Sequence, residues 1–489
     1  MAKPFVDHRS LALLTDLYQL TMACGYWKHG LSEREAVFEL TFRTNPFRGG
    51  YAVACGLSAA TNLLSYFKFS RDDTDYLKGL QGSDNRPLFE PQFLKYLQDL
   101  NFSCDVDGVP EGTVVFPHEP LIRIQGPLLQ CQLLETALLN VINFQTLIAT
   151  KAARVCQAAA GDTVLEFGLR RAQGIDGGIS ASRAAFVGGC HATSNVLAGK
   201  EFGIPVRGTH AHSWVMTFED ELQSFQAYAD AMPNNCVFLI DTYDTVSGAT
   251  KAVEVGQALQ ADGHKMIGVR LDSGDLAKLS QQVRQILDDA QLGDANIVAS
   301  NDLDEFAIEQ LKRDGARINV WGVGTRLVTA YDQPALGGVY KLAALREADR
   351  WIPKLKLSEQ DEKTSNPGIH QIRRFTHRAQ FVADIIYDHT TSFPTDAAMV
   401  DQETQLLYRP PSDADHEDLL IPVFRQGALV YQPPTIVAAQ QRTRQQLAML
   451  SPDMRRLRSP ECYPVGLEKQ LAKLKEQLIT AMRRGVLCN

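Results

Sequence analysis

The stretch "CVFLIDTYD" (236–244), with "VSGATKAVEVGQAL" (246–259) and "KMIGVRLDSGD" (265–275) after it, decides the fold of this chain. Its first and last segments are short apolar runs that end in polar clusters, which is the pattern of a buried strand. The middle segment has the apolar spacing and the residue types of a helix. Because a helix joins the two strands, the stretch predicts a parallel βαβ unit.

The same rhythm recurs through the middle of the chain. Helix-like segments such as "SASRAAFVGGCHATSNVLAG" (180–199) and "WVMTFEDELQSFQAYADAM" (214–232) alternate with further apolar runs. Those runs are "TVLEFG" (163–168), "IPVRGTHAH" (204–212), "ANIVASND" (295–302) and "INVWGVGT" (318–325). At least six strand–helix units in succession fit a (β/α) barrel better than an open sheet with a second domain.

The two flanks of the chain follow different patterns. Near the start, "LALLTDLYQLTMACGYW" (11–27) predicts an amphipathic helix and "EAVFELTFR" (35–43) predicts a strand. Near the end, "GLEKQLAKLKEQLITAMRRG" (466–485) has leucines at the spacing of a packed surface helix. We therefore expect an α+β domain in residues 1–130, a barrel with the active site in 131–345, and a C-terminal segment in 346–489 that packs back on both.

Composition limits the classes of function. The chain has 489 residues, of which 45% are hydrophobic and 22% are charged, so it can bury a large core. Its net charge of -8 argues against a general nucleic-acid binder. The sequence shows neither an apolar run of about 18 residues nor the layout of a signal peptide, and its scattered cysteines form no CxxC pair. We expect a cytoplasmic globular protein with no nucleic-acid or membrane partner.

Polar groups stand at the end of every predicted strand, where barrels collect their functional side chains. An aspartate or serine there, such as Asp302 or Ser273, has the alternative role of capping the next helix. That role does not explain the arginines, histidines and glycines that stand at the same ends. The strand-end residues are Glu166 and Arg170, Thr209 and His212, Asp241 and Asp244, Arg270 and Asp272, Asn301 and Asp302, and Gly322 to Thr325.

Two histidines one residue apart, His210 and His212, raise the question of a metal site. A metal-dependent amidohydrolase begins its site with such a pair, but it needs further ligands on later strand ends. The later ends offer no histidine, because His264 precedes its strand. A packed role fits His210, whereas a role as nucleophile or acid–base group fits His212.

Two further motifs indicate anion and cation chemistry. In "WGVGTR" (321–326), Gly322 and Gly324 let backbone N–H groups approach an anion, Thr325 adds a hydroxyl, and the following helix adds its N-terminal dipole. A plain tight turn is the alternative. In "GVRLDSGD" (268–275), Arg270 and Asp272 form either a structural ion pair or a substrate clamp, in which Arg270 suits a carboxylate or phosphate and Asp272 suits hydroxyls or bound magnesium.

Longer motifs together resemble the nicotinate phosphoribosyltransferases, from about residue 10 to residue 370. The resemblance implies that nicotinate and phosphoribosyl pyrophosphate give nicotinate mononucleotide and pyrophosphate, with coupled ATP hydrolysis and Mg2+. It also implies an irregular α/β barrel of the type II phosphoribosyltransferase kind and a homodimer with shared active sites. The motifs are "LLTDLYQLTMACGYW" (13–27), "FELTFRTNPFRGGYAVACGL" (38–57), "EFGLRRAQGIDGGISASRAA" (166–185), "GTHAHSWVM" (208–216), "GVRLDSGDL" (268–276), "ASNDLDE" (299–305) and "WGVGTRLVTAYDQPALGGVYKL" (321–342).

The resemblance also implies roles around the base and the histidine. His212 matches the histidine that ATP phosphorylates. Thr209 and Arg270 match nicotinate-binding positions, and a guanidinium suits the carboxylate of the base. Phe167 is expected on one face of the pyridine ring, and Tyr18 of the partner subunit is expected on the other.

On the phosphoribosyl side, the resemblance implies a phosphate site formed by Thr325 with Gly322 and Gly324. Arg170 is expected near that phosphate, and Arg43 of the partner subunit is expected to reach it. Asp241 and the catalytic Asp272 are expected near the ribose hydroxyls or Mg2+.

One motif departs from the family pattern. Many relatives have Asp and Gly where "GGCHATSN" (188–195) has His191 and Ala192, in a helix-like segment expected near the base pocket. Nicotinamide phosphoribosyltransferase therefore stays open as an alternative. A metal-dependent amidohydrolase and a non-catalytic barrel protein are more remote alternatives.

Overall fold

A computed structural model of the chain describes residues 10–358, 364–394, 398–402 and 404–484. The first nine residues, on which the signal-peptide expectation rests, and Cys488 lie outside the described residues. The chain divides into two compact units. One unit is Ile148–Pro334, and the other joins the chain before it to the chain after it.

The chain before the central unit mixes helices with short strands. Its elements are α1 (Leu17–Lys28), β1 (Glu35–Phe42), β2 (Ala52–Val53), α2 (Leu57–Ser65), α3 (Arg71–Lys78), α4 (Pro91–Asp99), β3 (Asp105–Gly108), β4 (Val114–Val115), β5 (Ile122–Pro127), α5 (Leu128–Leu133) and α6 (Glu135–Ala159), which runs into the central unit. The predicted helix and strand at the start are confirmed as α1 and β1.

The central unit alternates short strands with helices. Its elements are β6 (Thr163–Glu166), α7 (Ile175–Val187), β7 (Ala192–Thr193), α8 (Val196–Phe202), α9 (His212–Val215), α10 (Glu221–Ala231), β8 (Val237–Leu239), α11 (Thr245–Ala261), β9 (Gly268–Leu271), α12 (Leu276–Asp289), β10 (Asn296–Ala299), α13 (Glu305–Arg313), β11 (Val320–Val323) and α14 (Thr325–Val328). The strand–helix–strand unit of residues 236–275 is confirmed as β8, α11 and β9.

The strands of the central unit form one parallel sheet in the order β7-β6-β11-β10-β9-β8. All five neighbouring pairs are parallel, as the helical connections predict. The α/β class is therefore confirmed. Beyond β7, Val206 adds a single parallel bridge to Thr193, so the predicted strand 204–212 contributes only one bridged residue. The backbone ladder does not by itself establish a closed barrel.

The helix predicted over 180–199 is wrong in its second half. α7 ends at Val187, and β7 and α8 follow after Gly188 and Gly189. Gly189 has a φ of 123°, which disfavours any residue with a Cβ. A Cβ on Gly188 would lie 2.2 Å from the carbonyl oxygen of Ala149, so a glycine is needed for this close approach. The glycine pair therefore breaks the helical pattern.

The chain after the central unit is mainly antiparallel β-structure. Its elements are β12 (Gly338–Glu347), β13 (Arg350–Pro353), β14 (His370–His377), β15 (Gln380–Asp388), β16 (Met399–Asp401), β17 (Leu407–Tyr408), β18 (Asp415–Asp418), β19 (Ile421–Arg425), β20 (Ala428–Leu429), α15 (Ile436–Met449), β21 (Val465–Glu468) and α16 (Lys469–Arg483). The predicted C-terminal helix is confirmed as α16.

Early and late strands share a sheet in this second unit. Its order is β13-β12-β1-β5-β3-β19-β20, so β1 pairs with both β5 and β12. The Phe38 and Tyr340 rings stack across the β1–β12 pair with centroids 5.0 Å apart. A further sheet has the order β17-β16-β21-β15-β14-β18.

Candidate active site

The carboxyl ends of the parallel strands bring several predicted residues together. Arg270 lies in β9 and Asp272 directly follows it, while Asp241 lies just beyond β8. The Asp272 backbone N–H donates to Oδ2 of Asp241 at 2.7 Å, and the Ser273 hydroxyl donates to the same oxygen at 2.6 Å. Two neighbouring strand ends are therefore tied together by one carboxylate.

His212 joins this cluster from the start of α9. Its Nδ1 lies 3.1 Å from the hydroxyl oxygen of Thr242, and its Nε2 lies 3.8 Å from Oδ2 of Asp272. The side chain is 42% exposed, so the imidazole is accessible to a substrate. The Thr242 hydroxyl helps to fix the orientation of the imidazole, and because a hydroxyl can donate or accept, it is compatible with either tautomer.

His210 is a packing residue in this structure. It is buried, its ring lies 5.0 Å from that of Tyr228, and its Nε2 accepts a hydrogen bond from the Leu239 N–H at 3.2 Å. Burial lowers the pKa of His210 to about 4, so the imidazole is neutral near neutral pH. The two histidines thus occupy different environments, and only His212 faces the acidic cluster.

Arg270 is held on two sides. Its Nε donates to the Ser300 hydroxyl at 2.9 Å, and its Nη2 donates to Oδ1 of Asp272 at 3.2 Å. Among the described residues, Nη1 has no hydrogen-bond partner. The guanidinium carbon lies 6.0 Å from the centroid of the Phe167 ring. A cation and an aromatic face are thus close enough to bind opposite parts of one small aromatic acid.

Phe167 is positioned by its neighbours in sequence and by a glycine. The buried Glu166 carboxylate accepts from the Ser182 and Thr193 hydroxyls and from the Gly168 N–H, which fixes the turn after β6. A Cβ on Gly322 would lie 2.7 Å from Cδ2 of Phe167. Gly322 is therefore needed where the aromatic ring packs on β11.

The predicted phosphate loop lies at the end of β11. Gly324 precedes α14 and no side chain caps that helix, so backbone N–H groups stay available. Because α14 has only four residues, few peptide dipoles align, and the expected dipole contribution is small. Thr325 is half-buried at the first position of the helix. Arg326 follows it, with Nη1 3.3 Å from Oδ2 of Asp304.

Two other predicted residues border the central unit's strand ends. Thr209 is half-buried, and its hydroxyl donates to the Val237 carbonyl. Arg170 is exposed on a short 3-10 turn, Leu169–Arg171, directly after Phe167.

Tyr18 and Arg43 belong to the other unit. Tyr18 is 47% exposed in the first turn of α1. Arg43 follows β1 and lines a cavity of about 530 Å³, its open mouth included, together with Lys341, His118 and Ser365. Burial is the main cause that lowers the pKa of Lys341, and Lys356 and Arg43 add to it although Glu135 opposes them.

His191 lies elsewhere than expected. It is outside a helix, exposed, and directly before β7, where its N–H donates to the Val164 carbonyl and its Nδ1 accepts from the Val164 N–H. Val164 lies near the start of β6, whereas Phe167 follows the end of that strand. The helical placement of His191 is therefore wrong.

An orphaned oxygen at the strand ends fits a cation or a hydroxyl donor. Oδ1 of Asp241 is buried and has no hydrogen-bond partner among the described residues. A carboxylate oxygen left in this way suits Mg2+ or a ribose hydroxyl. Within the described part of the chain, no group of three or more His, Cys, Asp or Glu side chains is arranged to hold a metal ion.

Several residues beside the predicted ones were not singled out from the sequence. Ser300, Thr242 and Lys341 each contact or accompany a predicted residue. Ser300 and Thr242 do follow apolar runs, so their positions at strand ends carried a signal. Lys341 carried none, because its strand belongs to a different unit. In the described residues no helix is long and apolar enough to span a bilayer.

Family models and a named relative match the chain over nearly its whole length. Models of the nicotinate phosphoribosyltransferase (NAPRTase) N-terminal domain, family and C-terminal domain match residues 13–143, 163–381 and 370–475. A nicotinate phosphoribosyltransferase of Bacillus subtilis (strain 168) is 43% identical over 482 residues, which covers 98% of this chain and 97% of the relative.

Solved structures show the same similarity. The crystal structure of human nicotinic acid phosphoribosyltransferase is 33% identical with a TM-score of 0.82, covering 95% of this chain and 99% of that one. A nicotinate-nucleotide pyrophosphorylase from Pyrococcus furiosus, 21% identical with a TM-score of 0.69, shares the fold and covers 92% of this chain and 99% of that one.

An α/β protein whose parallel strands end in a histidine, an arginine and paired aspartates fits a phosphoribosyltransferase. With the family models and the full-length relatives, the chain belongs to the nicotinate phosphoribosyltransferase family. The predicted family and the predicted enzyme class are confirmed.

Proposed function

We propose that this chain transfers the phosphoribosyl group of phosphoribosyl pyrophosphate to nicotinate, with ATP hydrolysis coupled to the transfer. The observation that carries the proposal is the cluster at the strand ends. In it, Nη2 of Arg270 lies 3.2 Å from Oδ1 of Asp272, and Nε2 of His212 lies 3.8 Å from Oδ2 of the same residue. The products are nicotinate mononucleotide and pyrophosphate from the transfer, and ADP and phosphate from ATP.

The transfer is a substitution at the anomeric carbon of the ribose. The pyridine nitrogen forms the new bond as the bond to pyrophosphate breaks, and positive charge develops on the ribose ring. Such a reaction needs little covalent help, so positioning and charge stabilisation dominate. Asp241 and Asp272 supply negative charge beside the expected ribose position. The hydrogen bond from the Asp272 N–H to the Asp241 carboxylate holds that carboxylate in place.

Two parts of nicotinate, its carboxylate and its aromatic ring, would each have a partner in the site. Arg270 would bind the carboxylate through the nitrogen that has no partner among the described residues, because a guanidinium matches a carboxylate in charge and geometry. Phe167 would stack on the ring. Thr209 borders the same site, with a hydroxyl oxygen that still has acceptor capacity.

His212 would accept the phosphoryl group of ATP at Nε2. Nδ1 already has Thr242 beside it, so Nε2 is the nitrogen proposed as the acceptor. The phosphorylated form would tighten the site for phosphoribosyl pyrophosphate, and its hydrolysis would drive the cycle toward product. His210 takes no part, since its Nε2 already accepts from the backbone.

Phosphate groups would bind at Gly322, Gly324 and Thr325, with Arg170 nearby. Mg2+ would be held by Asp241 and Asp272, where it would neutralise charge on the departing pyrophosphate. The orphaned Oδ1 of Asp241 is the feature that suits it.

The active unit would be a homodimer with shared sites and an irregular barrel in the central unit. The hydroxyl of Thr209 and the imidazole of His210 bond to β8 from the segment after Val206, so side chains would close the barrel where the backbone ladder stops. Tyr18 of the partner subunit and Arg43 of the partner subunit would complete the base and phosphate sites. The three-part domain division and the cytoplasmic location stay predictions.

Pyridine-nucleotide formation tests the proposal. The purified chain is incubated with phosphoribosyl pyrophosphate and Mg2+, with nicotinate or nicotinamide, each with and without ATP. Product from nicotinate that ATP increases is the expected result. Product from nicotinamide but not from nicotinate would make the chain a nicotinamide phosphoribosyltransferase. An ATP-independent rate would contradict the coupling.

A further inference from the structure

Ser300 lies between the arginine and the aspartate of the candidate site. It directly follows β10, it is 5% exposed, and its N–H donates to the Leu271 carbonyl at 2.9 Å. Its backbone therefore extends the pairing of β10 with β9. This pairing places the Ser300 side chain beside residues 270 and 272 of the neighbouring strand end.

The hydroxyl of Ser300 has one proton and bridges two charged groups. Nε of Arg270 donates to it at 2.9 Å, and the hydroxyl itself donates to Oδ1 of Asp272. A guanidinium can only donate and a carboxylate can only accept, so the direction of both hydrogen bonds is determined. The same Oδ1 also accepts from Nη2 of Arg270, which closes a ring of three side chains.

The backbone after Ser300 holds this ring in place. Asn301 and Asp302 have φ values of 103° and 43°, so the chain turns sharply as soon as the strand ends. Residues other than glycine rarely adopt positive φ, and such strain persists where the surrounding structure demands a particular geometry. Ser300 is thus fixed by the ladder on one side and by the turn on the other.

We propose that Ser300 is a positioning residue that sets the selectivity of this site for a carboxylate-bearing pyridine. It holds Nε of Arg270 while Asp272 holds Nη2, so the guanidinium cannot rotate and Nη1 stays directed away from both. A fixed guanidinium favours a negatively charged carboxylate strongly and a neutral amide weakly. The inference rests on the proposed role of Arg270 as the partner of the substrate carboxylate.

Steady-state kinetics of Ser300→Ala in the full chain tests this role. We expect the KM for nicotinate to rise about tenfold, because Arg270 loses one of its two anchors. The KM for phosphoribosyl pyrophosphate should change less than twofold. The ratio of kcat/KM for nicotinate to that for nicotinamide should fall about tenfold. Ser300→Thr keeps the hydroxyl and should restore most of the nicotinate KM.

Ser224→Ala is the matched control. Ser224 is a fully buried serine of the same unit, and among the described residues its hydroxyl bonds only to the Glu221 carbonyl. Its loss should leave all three constants at their wild-type values. If Ser300→Ala does not fold, Ser300→Cys replaces it, because a thiol of similar size bonds weakly to both partners.

Two outcomes separate this inference from the function on which it rests. If both KM values rise together in the Ser300 variants, or if neither changes, the positioning role is wrong. If Arg270→Gln leaves the KM for nicotinate unchanged, Arg270 is not the carboxylate partner, and the proposed base site itself is wrong.

Discussion

The strand-end cluster of Arg270, Asp272 and Asp241 and a second cluster of Arg374, Asp384 and Glu119 each combine one arginine with two carboxylic acids. In the second cluster all three side chains are fully buried, and Arg374 donates to both oxygens of Asp384. In the strand-end cluster, Oδ1 of Asp241 and Nη1 of Arg270 have no partner among the described residues, and in the second cluster Oε1 of Glu119 has none. Unused bonding capacity therefore occurs in both clusters, and exposure separates the binding site from the structural clamp: the Arg270 and Asp272 side chains are 13% and 29% exposed, whereas those of Arg374 and Asp384 are 0% exposed.

In the buried cluster of Arg374, Asp384 and Glu119, here called the sealed cluster, the charges balance one another. The Tyr463 hydroxyl donates to Oδ1 of Asp384 at 2.9 Å. Burial raises the pKa of Glu119 well above its ordinary value, and the nearby Asp384 carboxylate raises it further. The raised pKa favours the protonated form of Glu119, which leaves Arg374 and Asp384 to balance each other as an ion pair.

Breaking the sealed cluster should have the largest effect on stability. Asp384→Asn leaves the Arg374 charge buried without its partner, and this costs about 3–5 kcal/mol of unfolding free energy. Urea unfolding of the full chain measures the change. The matched variant Asp241→Asn should instead lower kcat/KM with little change in stability. Equal destabilisation by both variants would remove the distinction between the clusters.

His212→Ala should abolish the effect of ATP at the open cluster. The side chain is half-exposed, so the melting temperature should stay near that of the wild type. The nicotinate-dependent rate with ATP should fall about 100-fold, since the group that accepts the phosphoryl is gone. Label transfer from γ-labelled ATP to the protein should disappear with it. Stimulation by ATP that survives the substitution would exclude His212 as the acceptor.

The pH dependence of stability tests whether His210, near the strand-end cluster, is a buried neutral residue with a structural role. Its folded pKa of about 4 is below the unfolded value, so the unfolded chain takes up a proton first as pH falls. Unfolding free energy should therefore drop by up to about 3 kcal/mol between pH 6.5 and 4. His210→Gln should remove that part of the slope. A slope identical in both proteins would mean that His210 is not buried as a neutral group.

His370 should produce the smallest effect, with the opposite sign. Its Nδ1 lies 2.6 Å from Oε2 of Glu39 and its Nε2 lies 3.1 Å from the Pro367 carbonyl, so both ring nitrogens donate and the imidazole is charged. Burial lowers its pKa, but the Glu39 charge and hydrogen bonds raise it above its ordinary value overall. The stability it adds is complete below about pH 6.5 and is lost as pH rises through the folded pKa.

Thermal unfolding at a series of pH values measures the His370 effect. The wild type should lose stability as pH rises above about 6.5, and His370→Gln should lose less over the same range. A matching decline in the variant would place the titrating group elsewhere.

Much of the site was predictable because the carboxyl ends of parallel strands lie at the same edge of a sheet. Each apolar run of the middle segment ends in polar residues, and a parallel sheet brings those ends to one edge. Arg270, Asp272, Asp241 and His212 were found in this way, and the contacts among them follow. The family motifs then assigned roles that spacing alone left open.

Other features depended on contacts that no local pattern carries. The helix predicted over 180–199 was broken because Gly188 lies against the backbone of another helix. The ring of Ser300 with Arg270 and Asp272 joins residues about 30 positions apart. Lys341 accompanies Arg43 only because β12 pairs with β1, although the whole central unit separates them in sequence.

The sequence alone determined the family, the α/β class and the strand ends that carry the chemistry, since apolar periodicity and short motifs are local properties of the chain. Only the tertiary structure decided which charged groups are satisfied and which keep free bonding capacity. It separated the buried His210 from the exposed His212 and the sealed Asp384 from the open Asp241. The physical reason is that burial and hydrogen-bond partners come from residues distant in sequence, and these partners determine protonation, orientation and availability for a substrate.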